Sequence, residues 1–213
     1  MMIQSQKEYA DVLIRHFKHS GQFGSARIIG SLASAQFDAF SDIDIELQIK
    51  SPNPVCTVRR GLDVIRQHFP VCFYDWAKSL APERVLMSVY IEDVSPFWNI
   101  DISVVTAPNS AVDGGTLEQN AHLHALKLWL IDARSFLRES QAVSSVPRST
   151  RLLDCYNTLY SSLDLAPAFF LQLEIIRKRI ESVASASVHL HPPIGGSKKS
   201  AGIHPDTAVS PSL

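Results

Sequence analysis

Asp42 and Asp44 stand two residues apart in Ser41-Asp42-Ile43-Asp44-Ile45, a short way after the pair Gly30-Ser31. Alternate residues of a strand point to one face, so the two carboxylates can converge on one cation. Hard divalent ions such as Mg²⁺ take oxygen ligands and commonly share them with substrate phosphates. Gly30 permits close backbone approach, and Ser31 offers a hydroxyl and N–H groups where a short helix would open. Together these residues suggest transfer of a nucleotidyl group from a nucleoside triphosphate.

The bland alternative is a half-buried strand, because Asp42, Asp44, Glu46, Gln48 and Lys50 alternate with Ile43, Ile45, Leu47 and Ile49. Against it, Asp is depleted in strands, and two on one face repel each other unless a cation lies between them.

The run from Gly30 through Ser31, Leu32, Ala33, Ser34, Ala35, Gln36, Phe37, Asp38, Ala39, Phe40 and Ser41 to Asp44 resembles the signature of the polymerase-beta-like nucleotidyltransferase superfamily. The form it most resembles is that of small bacterial aminoglycoside and lincosamide nucleotidyltransferases. Ala33, Asp38, Ser41, Asp42 and Asp44 stand in register with that form. Ser34 stands where Arg is usual, and Ala35 where Gly is usual. The resemblance spans roughly residues 25 to 106. It implies that Ser31 contacts the triphosphate and that Asp42 and Asp44 bind metal. It also implies that Asp101, in Asn99-Ile100-Asp101-Ile102-Ser103, joins them from an adjacent strand and binds a second Mg²⁺. Two such ions would clamp the attacking and leaving oxygens of an in-line displacement, with ATP the expected donor and pyrophosphate the leaving group. Loss of the Arg at Ser34 is expected to weaken nucleotide affinity, and Ala35 to tighten the turn. Read without the family, Asp101 needs an Arg or Lys partner or a solvated edge, because a buried unpaired charge is costly. Glu92 and Glu118 are candidates for a separate general base.

Other motifs carry less. Residues i and i+2 of a helix diverge by about 200°, so His122 and His124 read as surface and core histidines rather than a metal pair. His189 and His191 fall in a tail. Gly195-Gly196-Ser197-Lys198 lacks the strand and spacing of a phosphate loop. Arg177-Lys178-Arg179 reads as a solvated helix face.

Composition bounds the function. With 213 residues, 46% hydrophobic and 19% charged, the chain suits one substantial core or a catalytic domain with a helical appendage. A formal net charge of −1 gives no excess of Lys and Arg to track a phosphate backbone, which weighs against a nucleic-acid partner and for a small acceptor. Cys56, Cys72 and Cys155 show no metal-ligand spacing. With no secretory signal and no apolar run long enough for a membrane span, a cytoplasmic protein is expected.

The elements that must position the motif can be read from periodicity. Tyr9, Val12, Leu13 and Phe17 mark a first helix ending near Ser20-Gly21, and residues 26–29 a short strand. Val58, Leu62, Ile65 and Phe69 mark a second helix stopped by Pro70. Strands follow over residues 71–76, 85–91 and 98–106. Residues 116–119 fit a capping box, followed by a stripe of Leu123, Leu126, Leu130, Ala133 and Leu137. Two further helices are expected around Leu152–Leu163 and Leu173–Val183, with breaks at Pro147 and Pro167. The expected fold is α+β, a small mixed β-sheet with helices on one face plus a C-terminal helical bundle. Its divisions are a nucleotidyltransferase domain over 1–108, a helical domain over 109–186, and a disordered tail over 187–213.

The leading functional expectation is transfer of a nucleoside monophosphate, AMP above all, to a hydroxyl of a small molecule such as an aminoglycoside or lincosamide. Antibiotic resistance would then be one outcome. The alternatives are the same chemistry on a protein or RNA, as in toxin–antitoxin relatives, and a lapsed relative that binds nucleotide or serves as an interaction domain. The oligomeric state stays open, a homodimer included.

Overall fold

The computed structural model describes residues 5–48, 53–81, 84–105, 120–139 and 146–190. Helix α1 (Gln6–His19) starts at Ser5, whose hydroxyl accepts from the Glu8 N–H, and ends with His16, Lys18 and His19 in its last turn. Tyr9, Val12, Leu13 and Phe17 form its buried face, as their spacing predicts. Strand β1 (Ser25–Ile28) leads directly into α2, the single turn Gly30–Ala33. Strand β2 (Ile43–Gln48) follows, then α3 (Pro54–Arg66), capped by Asn53 with Pro54 in its first turn. Strands β3 (Val71–Ala81) and β4 (Arg84–Ile91) come next, then a 3₁₀ turn over Pro96–Trp98 and strand β5 (Ile100–Val105). The last of the expected strands thus starts at Ile100, because Pro96 and the Ser95 cap wind the preceding residues into a turn.

The five strands form one mixed sheet in the order β1-β2-β5-β4-β3. Only β2 and β5 run parallel; the other neighbours are antiparallel. Ile43, Ile45, Leu47, Ile100, Ile102, Val104, Met87 and Val89 all point to one face, where α1 and α3 cover them. Gly61 lets α3 lie close, since a Cβ there would stand 3.1 Å from Leu47 Cδ1.

The opposite face is covered too. Helices α4 (Ala121–Glu139), α5 (Val146–Tyr160) and α6 (Pro167–Leu190) pack on Phe40, Phe73, Tyr90 and Phe97. Phe73 and Tyr90 stack at 4.2 Å, and Phe169 meets Phe73 edge-on. The Trp129 indole donates to the Leu152 carbonyl, tying α4 to α5. The architecture is the α+β arrangement expected, with the helical bundle seated on the second face of the sheet and sharing a core with it. Pro147 and Pro167 stand in the first turns of α5 and α6, where a missing N–H costs nothing. Helix α6 runs through residues 187–190, where a tail was expected to have begun. Residues 191–213, including the glycine-rich stretch from Gly195, lie outside the described residues, as do 106–119 with the expected capping box and Glu118. The described start of α4 is instead capped by Asn120, whose Oδ1 accepts from the His122 and Leu123 N–H groups.

Candidate active site

The alternation along β2 sends Asp44 and Glu46 to the face opposite Ile43, Ile45 and Leu47. Asp42 immediately precedes the strand. The parallel ladder pairs Asp44 with Asp101, so two carboxylates of distant sequence stand side by side. The row continues across the sheet, because Asp101 pairs with Ser88 on β4, and Ser88 with Asp75 on β3. An acidic row therefore crosses the sheet beneath α4.

Gly30 closes this row from the β1 side. It has φ +68°, and a Cβ built on it would lie 2.1 Å from Asp44 Oδ2. Only glycine leaves the Asp44 carboxylate its place, which joins the two halves of the motif physically. Ser31 follows, its hydroxyl buried and without a hydrogen-bond partner among the described residues. Ser34 Oγ turns back on the Gly30 and Ser31 carbonyls, which it contacts at 3.3 and 3.1 Å. Ala35 occupies the left-handed region at φ +57°, the conformation that explains why glycine is usual at this point of the motif.

Helix α4 supplies cations to Asp42, Asp38 and Asp75. Arg134 Nη1 donates to Asp42 Oδ2 at 2.7 Å, and its Nη2 to the Asn99 Oδ1 at 2.6 Å and the Phe97 carbonyl at 3.1 Å. Asn99 Nδ2 then donates to Asp101 Oδ1 at 2.7 Å, linking the guanidinium to the third carboxylate. Arg138 grips Asp38 with both ends of its fork, at 2.7 and 2.8 Å, and Asp38 also accepts from the Ser41 hydroxyl and the Phe40 N–H. Farther along, Asp75 lies almost fully buried, with His124 Nδ1 at 3.0 Å and Lys127 Nζ at 3.5 Å.

These surroundings set the charges. Burial pushes the Asp101 carboxyl above the ordinary carboxylate range. The Ser88 hydroxyl opposes that shift, Asp42 adds to it, and Lys127 and Arg134 oppose it. Arg138 holds Asp38 down to about 2, with Ser41 and the Phe40 N–H helping and burial working against them.

Asp44 and Asp101 are thus neighbours on this face, with Gly30 against Asp44 and Asp42 linked to Asp101 through Arg134 and Asn99, but they are not alone. Asp101, read without the family as needing an Arg or Lys partner or a solvated edge, accepts a hydrogen bond from the Asn99 amide. The repulsion around Asp42 is relieved by Arg134. Glu92 sits at the end of β4, its N–H on the Pro70 carbonyl and its charge felt by Cys72, two strands away from β2. Arg179, expected on a solvated face, reaches the Phe40 ring, while Arg177 pairs with Glu174 and Glu181 along its own helix. Arg134, Arg138, Asn99 and Asp75 were missed. A signal for the helix cations existed, since Lys127, Arg134 and Arg138 each follow one residue after a member of the apolar stripe, placing them on its shoulder.

No protein-family model matches the sequence, and no curated protein matches it. Among solved structures, a proposed nucleotidyltransferase from H. pylori aligns over 89% of this chain and 99% of its own, at 10% identity and a TM-score of 0.32. JHP933 from Helicobacter pylori aligns over 89% of this chain and 96% of its own, at 9% identity and a TM-score of 0.27. Likeness at this level decides nothing about function. The site stands on its own geometry.

Three carboxylates are the right donors for a hard divalent cation, yet their arrangement does not form a cage for one. Asp42 is engaged by Arg134, and Asp101 accepts from Asn99. Among the described residues no three His, Cys, Asp or Glu side chains cluster closely enough to hold a metal ion. As folded here, the cation at Asp42 is a guanidinium.

Proposed function

We propose that the chain is a nucleotidyltransferase that moves a nucleoside monophosphate, AMP from ATP in the first instance, onto a hydroxyl of a small acceptor. The observation that carries this reading is the Asp44–Asp101 pair behind Gly30, a register that joins the glycine-serine turn to carboxylates from two parallel strands. Such a row suits a reaction in which charge must be managed around a triphosphate. Ser31, with a buried hydroxyl that has no partner among the described residues, would donate to a phosphate oxygen. Asp101, its carboxyl raised by burial, is the group suited to take the proton of the acceptor hydroxyl. The new bond would form between the acceptor oxygen and the α-phosphorus, as the bond to the bridging oxygen breaks and pyrophosphate leaves. Mg²⁺ belongs to this reading through the resemblance alone.

The near-neutral charge supports a small acceptor, with aminoglycosides and lincosamides the first classes to try. Among the described residues no helix is long and apolar enough to cross a membrane. The test is pyrophosphate release with each of the four triphosphates and Mg²⁺ against acceptor panels, read by mass shift on small molecules, protein or RNA. Release that vanishes in D44N supports transfer. ATP binding by calorimetry with no release on any acceptor would leave a nucleotide-binding relative that has lost transfer. Release unaltered in D44N would sink the assignment.

A further inference from the structure

Arg134 is anchored where the resemblance would put a metal ion's charge. Its three acceptors, the Asp42 carboxylate, the Asn99 amide oxygen and the Phe97 carbonyl, come from the start of β2 and the turn before β5. The side chain is 12% exposed, and its Nε is buried with no partner among the described residues. A guanidinium holds its positive charge in a planar fork of donors, here fixed by three acceptors. A dication approaching Asp42 would meet this fixed positive charge and lose one carboxylate oxygen to it.

We propose that Arg134 is the resident counter-ion of Asp42 and excludes a divalent cation from the nucleotide-free site. The proposal rests on the nucleotidyltransferase reading only for the identity of the cation at stake. Its consequence is that α4, an element of the helical half, governs the ionic state of the motif on β2. Asn99 tightens the arrangement by holding Arg134 with one end of its amide and Asp101 with the other.

Mn²⁺ is the probe, since it takes the oxygen sites of Mg²⁺ and its free form is counted by electron paramagnetic resonance. Titrations use the full chain without nucleotide. R134Q should bind Mn²⁺ about tenfold more tightly than the wild type, within the usual range of coupling free energies between charged occupants. R134K should stay near the wild type, because an ammonium keeps the charge. The gain should vanish in D42N/R134Q, which locates it at Asp42. Mn²⁺ should also raise the melting temperature of R134Q more than that of the wild type. If R134Q does not fold, N99A serves, since it removes one anchor of Arg134 and should shift Mn²⁺ affinity in the same direction. Equal Mn²⁺ binding by the wild type and the folded variant, or a gain that survives D42N, would overturn the proposal. Failure of the catalytic reading looks different: no protein releases pyrophosphate, while the Mn²⁺ difference persists.

Discussion

Gly30 and Asp44 are packed so closely that a methyl group on the glycine would stand 2.1 Å from the Asp44 carboxylate oxygen. Gly30→Ala therefore carries two penalties, a left-handed backbone at φ +68° and a collision with a site carboxylate. The backbone part should cost about 1–2 kcal/mol, read as a lower melting temperature. Displacing Asp44 should lower pyrophosphate release about a hundredfold. The double variant G30A/D44A relieves the collision, so its loss of stability should be smaller than the sum of the single losses. Additive losses would show that the two residues do not press on each other.

Ala35 presents the opposite case. Its φ of +57° places a Cβ where the backbone disfavours one. Ala35→Gly should raise stability, by up to about 1 kcal/mol once the greater freedom of glycine in the unfolded chain is subtracted. Thermal melts would show it, and a melting temperature below the wild type would mean that the turn does not need glycine's freedom.

Why some of this was legible and some was not follows from where each contact lies in the chain. The clean alternation of β2 fixed which face Asp42 and Asp44 would share, because a strand's period is set locally. Gly30 was legible for the same reason, although its partner Asp44 was visible only once β1 and β2 paired. Arg134 and Arg138 meet Asp42 and Asp38 across a long stretch of sequence, and only the docking of α4 on the sheet brings them there. Asp75 hid in a run that read as an ordinary strand. Its neighbours in the row, Ser88 and Asp101, lie on β4 and β5, so ladder register alone assembles the row.

Asp75 should prove structural rather than catalytic. It is buried between His124 and Lys127, and Lys127 is itself nearly buried. Asp75→Ala would strand a buried ammonium without its carboxylate, at a cost of about 3 kcal/mol. Urea unfolding would measure the loss, and the affinity of the folded variant for ATP should be unchanged. A folded Asp75→Ala protein with full stability would show that Lys127 finds another partner.

The Asp38–Arg138 fork gives a pH signature. Its folded pKa, about 2, lies below the usual unfolded value of about 3.9. The unfolded chain then binds the proton more readily, so the stabilisation is full above about pH 4 and is lost as pH falls through about 2. Both partners are partly exposed, so the effect should be modest and weakened by salt. Asp38→Asn should lower the melting temperature at neutral pH and approach the wild type near pH 2.

Asp101 should behave in reverse, and that contrast separates a working carboxylate from a structural one. Its folded pKa is raised, chiefly by burial, so the folded chain holds the proton more tightly than the unfolded chain does. Stability must therefore fall as pH rises from the unfolded value through the folded one, so a titratable carboxyl buried at this position is a net burden above the unfolded value. Asp101→Asn removes the burden and keeps an oxygen to accept from Asn99 Nδ2. The variant should melt higher than the wild type at pH 7, and the difference should close below about pH 4. Pyrophosphate release should nonetheless be lost, since the amide can neither take a proton nor bear the charge. A carboxyl that costs the fold stability and yet is needed for turnover is maintained for chemistry. A variant that melts lower at pH 7 while retaining activity would instead make Asp101 a structural member of the acidic row.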